Sequence, residues 1–186
     1  MIANAGHFVA DARIPAGIAR VTTALSTELT KANMALALEM LSTAAGRLRK
    51  FAASQKPGSD TEPLAPGERS AVQVVAHMLN VEARSAESVY LALLLKEPEL
   101  PDIHPERDWG KVLRLEDLPF DRLVEYFELR TTMLLQVLDR LTEAQWSRTV
   151  REAGKARRES VYWRVRTLVL HTDVHLRELE RRIISG

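Results

Sequence analysis

Apolar residues recur every three or four positions over four long stretches of the chain, the spacing that turns one face of an α-helix inward. In the first stretch, residues 23–53, the stripe is Met34, Leu38, Leu41, Ala45, Leu48 and Phe51. The second opens at Ser70, with Gln73 three residues on as its capping-box partner, and carries Val74, His77 and Val81 toward Lys96. The third begins near Pro119, a residue suited to a first helical turn, and aligns Phe120, Leu123, Phe127, Leu134 and Leu138 up to Leu141. Ser160 caps the fourth, which runs to Ile184 with Val161, Val165, Leu168, His171, His175 and Leu179 on one stripe. Sustained alternation of β-branched residues and Asn-Gly or Asp-Gly turns are missing, so strand signals are nearly absent.

The connections are uneven. Pro57 and Gly58 end the first helix and open a Pro/Gly/Ser-rich link to Gly67. Between the second and third helices, residues 97–116 hold Pro98, Pro101 and Pro105 and are long for a link between antiparallel neighbours. They fit a crossover along the length of a bundle. Thr142 to Gln145 reads as another capping box opening one short turn to Trp146, followed by a polar loop with Gly154. The pattern predicts an all-α, four-helix bundle in which not every neighbour is joined by a short loop. A single domain is expected over 23–186. Residues 1–22, Ala-rich with Pro15 and Gly17, are read as an extension that is poorly ordered or packs on a partner subunit.

Composition narrows the function. With 186 residues the chain can bury a sizeable core. It has no Cys, which excludes disulfides, thiolate ligands and a cysteine nucleophile. The net charge of +1 hides an asymmetry. From Trp146 onward ten Lys and Arg stand against five Asp and Glu, while the rest of the chain carries sixteen against twenty. That basic end suits a small anion better than a nucleic acid, which calls for a clustered basic face. No secretory signal pattern and no apolar run near the ~20 residues of a membrane helix appear. The expected setting is cytoplasmic, with no membrane and no nucleic-acid partner.

The chemistry lies in three of the five histidines. His171 and His175 are four residues apart in an apolar helical stretch and share a face. His77 lies on the inward stripe of a second helix. Buried imidazoles are costly unless their nitrogens find partners, and one divalent ion would satisfy all three while keeping a coordination position open, as catalytic sites do. The alternative is three separate histidines, each hydrogen-bonded in the core or edging out to solvent. Thr172 stands where the glutamate of an H-E-x-x-H protease would be, so that class is disfavoured.

Ser70 to Glu82 (SAVQVVAHMLNVE) and His171 to Arg177 (HTDVHLR), with Asp108-Trp109 in the crossover and Leu141 to Trp146 after the third helix, are similar to the DinB-like (DinB/YfiT-like) metal-binding helical proteins. The resemblance covers residues 31–186. It implies an up-down-down-up bundle and a divalent metal ion, Zn, Ni or Fe, held by His77, His171 and His175. It also implies a metal-dependent transferase or isomerase that uses a low-molecular-weight thiol, acting on a small-molecule substrate, and a homodimer. The competing reading is a non-catalytic metal-binding or ligand-sensing bundle. The chain departs from the family pattern at Arg69, where relatives often carry Trp, and at Asn80, where many carry Asp; both bear on substrate specificity.

Other residues read more plainly. Glu82 lies about 140° around the helix from His77, which suits a role behind the ligands or an ordinary surface glutamate. Asp173 is expected in solvent. Arg148, Arg151, Lys155, Arg157 and Arg158 form a basic loop, either simply solvated or an anion-steering rim. Trp109 is expected at the pocket mouth or as an anchor for the crossover. His104 and His7 read as loop residues.

Overall fold

The computed structural model describes residues 25–185; the expectation for residues 1–22 lies outside them. Four long helices carry the fold: α1 (Lys31–Ser54), α2 (Ala71–Leu94), α3 (Phe120–Leu138) and α4 (Val161–Ser185). α1 starts later than the apolar pattern predicts. The Thr30 hydroxyl accepts from the Asn33 amide and sets the start at Lys31. Ahead of it the chain is irregular, yet anchored: Leu25 is fully buried, and the Ser26 carbonyl accepts from the Tyr162 hydroxyl. The buried stripe of α1 is also turned slightly, to Met34, Ala37, Leu41, Ala44, Leu48 and Phe51, leaving Leu38 and Ala45 at its edge. The Ser70 capping box forms as expected, with Gln73 closing back on the Ser70 amide.

α1 packs against α3 and α4, and α2 packs against the same two helices. Side-chain contacts fix the directions. Ser26 meets Tyr162 near the starts of α1 and α4, and Arg47 meets Asp173 and Glu180 further along both, so these helices run parallel. Phe51, near the end of α1, meets Phe120 at the start of α3, so that pair is antiparallel. His77 near the start of α2 meets His171 and His175 around the middle of α4, and Arg182 near the end of α4 donates to the Ser59 carbonyl in the link ahead of α2, so this pair is antiparallel. The path is therefore up-down-down-up. Two apolar clusters fill the bundle. One joins Leu41, Val89, Leu138, Trp146 and Val165; the other joins Leu48, Phe51, Val75, Leu79, Leu123 and Leu179.

The helical bundle carries one addition that the sequence does not announce. A small sheet closes one end of the bundle, ordered β1 (Glu99–Leu100), β2 (Thr149–Glu152), β3 (Arg158–Ser160), with β1 parallel and β3 antiparallel to β2. Its strands are too short to show alternation, and Gly154, at φ +75°, makes the hairpin turn that no Asn-Gly or Asp-Gly pair announces. Leu100 and Val150 plug the sheet into the core. The crossover is also structured. After β1 it forms a π-helical turn over Pro105–Gly110, which packs on α2, and short turns at Lys111–Leu113 and Leu115–Asp117. Among the described residues no helix is long and apolar enough to cross a membrane.

Candidate metal centre

α2 and α4 run side by side, and their inward stripes bring His77, His171 and His175 together. Each offers a ring nitrogen, and these nitrogens all lie within 4.8 Å of one another. Nε2 of His77 is 3.0 Å from Nε2 of His171, and the three ring centroids are 4.5–4.9 Å apart. Donors 2.0–2.1 Å from a tetrahedral ion stand about 3.3 Å from each other, so the spacing is that of a shared cation.

The outer nitrogens show how the rings are held. His175 Nδ1 is 2.8 Å from the Glu178 carboxylate, one turn on along α4, which leaves Nε2 to face the cluster with a lone pair. Glu106, on the π turn, puts Oε1 3.1 Å from His77 Nδ1 but outside hydrogen-bonding alignment, so that nitrogen has no hydrogen-bond partner. His171 Nδ1 is buried and likewise unpartnered. Two neutral rings meeting through Nε2 can share a single proton, and the third ring adds another lone pair to the same space. One divalent ion accepts from all three. The donor set therefore fits a metal, and the carboxylates of Glu178 and Glu106 stand behind two of the rings, where acceptors orient a ligating imidazole.

Burial keeps two of the rings, His77 and His171, neutral. Burial first, then the electrostatic influence of His175, Arg69 and His104, lowers the His77 imidazole to about 3. Burial followed by His175 and His77 pushes His171 well below the ordinary histidine value. Burial opposes ionisation of Glu178, yet the hydrogen bond with His175 holds its carboxyl below the usual range.

Several expectations change. Asp173 is not in solvent: its side chain is 8% exposed and bridges Arg47 and Arg177, at 2.7 and 2.9 Å. Glu82 is neither a surface residue nor behind the histidines. It is buried between α2 and α3, with one oxygen 2.7 Å from Arg130 and the other unpartnered, and burial raises its carboxyl despite that arginine. The basic loop is mostly consumed by structure. Arg148 donates to the carbonyls of Leu93 and Leu95, Arg151 pairs with Glu99, Lys155 with Glu152, and Arg158 with Glu97, while Arg157 stacks on Trp163. These contacts tether the sheet. His104 caps the π turn by accepting from the Arg107 amide. Trp109, on the same turn, is half-buried with its indole N–H unpartnered. His7 lies outside the described residues. Sequence reasoning missed Glu106 and Glu178. The i, i+3 step from His175 could have flagged Glu178, whereas nothing in the local sequence brings Glu106 to His77.

Fold and site together define a helical bundle with a three-histidine centre between antiparallel helices. The chain belongs to the DinB superfamily, whose family model matches residues 26–179. Among solved structures, it is similar to YfiT from Bacillus subtilis, with a TM-score of 0.74 over 84% of this chain and 89% of that one, at 14% identity. YfiT is described as a probable metal-dependent hydrolase with an unusual four-helix bundle topology. No curated protein matches the chain.

Proposed function

We propose that the protein is a metal-dependent enzyme in which His77, His171 and His175 hold one divalent ion, Zn, Ni or Fe, and that it acts as a transferase or isomerase with a low-molecular-weight thiol. The observation that carries this reading is the meeting of three imidazole nitrogens within 4.8 Å, two of them 3.0 Å apart, among buried apolar residues. Such an ion supplies Lewis acidity, making a thiol or water at its open position acidic near neutral pH. The chain's own residues prepare for it. Burial keeps the His77 and His171 rings unprotonated, the Glu178 carboxylate holds Nδ1 of His175, and Glu106 stands against His77. The chain has no Cys, so the sulfur would come from a bound small molecule. A second reading, metal-assisted hydrolysis with water in place of the thiol, draws on the description of YfiT.

The test is metal content. Untagged protein purified without added metal should contain about one divalent ion per chain by elemental analysis, and His171→Ala should contain almost none. Unchanged metal in that variant would end the proposal. Thiol-conjugation and ester- or amide-hydrolysis assays on the loaded protein then choose between the two readings.

A further inference from the structure

Arg69 stands at the threshold of α2, just before its capping serine, and one oxygen of Glu106 links it to the histidines. Glu106 Oε1 is 2.6 Å from Arg69 Nη2 and 3.1 Å from His77 Nδ1. The guanidinium is close enough to act electrostatically on His77, His171 and Glu178 alike. Its bond to Glu106 uses one amino group of a planar five-donor fork, and the side chain remains 41% exposed. Arg69 therefore borders the centre with part of its fork facing solvent.

The charge around the centre decides what that fork meets. With a dication among the neutral rings, Glu106 and Glu178 offset the ion, and Arg69 leaves one positive charge in excess. We propose that the small molecule bound at the metal carries a carboxylate or similar oxyanion, and that Arg69 is the specificity-determining residue that binds it. This rests on the metal-centre reading and adds the substrate's charge. Planar guanidinium and planar carboxylate form paired, charge-assisted hydrogen bonds, so Arg69 would select among ligands that engage the metal equally well.

The test uses the full chain loaded with Co(II), whose thiolate charge-transfer absorption reports ligand binding directly. Three small thiols serve as probes: mercaptoacetate (anionic), 2-mercaptoethanol (neutral) and cysteamine (cationic). Mercaptoacetate should bind about tenfold or more tighter than 2-mercaptoethanol, as a charge-assisted hydrogen bond implies, and cysteamine weakest. Arg69→Met should erase most of the mercaptoacetate advantage and leave 2-mercaptoethanol within about twofold; Arg69→Lys should restore part of it. The proposal is overturned if mercaptoacetate does not bind, if it has no advantage, or if Arg69→Met weakens both thiols equally. The last result would mean that Arg69 only props Glu106 against His77. Failure of the wild-type chain to take up cobalt would instead defeat the metal centre itself, and with it this inference.

Discussion

At the residue scale, two of the three rings, His77 and His171, tie stability to pH even before any metal binds. His77 is pushed down to about 3 in the fold, while an unfolded histidine titrates near 6.5. Below 6.5 the unfolded chain therefore takes up a proton that the folded chain refuses. The contribution is fully present above pH 6.5 and is lost as the pH falls, levelling off near 3 for His77. His171 shifts in the same direction for the same reason, burial. Each such histidine steepens the loss by at most about 1.4 kcal/mol per pH unit. Urea unfolding of metal-free protein between pH 7.5 and 4 should show stability declining, and His77→Gln should flatten the decline by about that slope. An identical pH profile in the variant would show that the ring is not held neutral by the fold.

At the element scale, α2 depends on its start. Ser70 is buried, its hydroxyl accepts from the Gln73 amide at 3.3 Å, and His77 follows two turns later. Ser70→Ala should cost about 1 kcal/mol in urea unfolding, and Ser70→Asp, which keeps a capping oxygen, should recover most of it. Equal losses in both variants would mean that packing of the buried serine matters more than its hydrogen bond. The same scale explains the displaced face of α1. Burial of Ala37 and Ala44 in place of Leu38 and Ala45 lets the helix lie close to its neighbours, with the larger Leu41, Leu48 and Phe51 filling the gaps.

At the scale of the whole molecule, apolar clusters fill the bundle on their own account. An ion at the histidines would add stability without being required for folding. An ion present at a thousand times its dissociation constant contributes about 4 kcal/mol, which for a chain of this size is roughly 10 °C in Tm. Chelation of the loaded protein should lower the melting transition by about that amount and leave it cooperative, while His171→Ala should melt at one temperature with or without chelator. Collapse of the cooperative transition on chelation would make the metal a folding requirement.

The helices were legible in the chain because their signals are local. Periodicity, the Ser70–Gln73 and Thr142–Gln145 capping boxes and the breaks at Pro57 and Pro98 act within a few residues, and they place four helices and turn His77, His171 and His175 inward. The pair on α4 was readable from its four-residue step alone. Partners brought from far along the chain were not. Asp173 looks solvated until α1 delivers Arg47, and Glu82 looks like a surface residue until α3 delivers Arg130. Glu106 reaches His77, and Arg69 reaches Glu106, only once the crossover folds back onto α2. Hydrophobic spacing decides which face a helix buries. Which charges meet across that face depends on how the chain returns, and only the tertiary structure settles it.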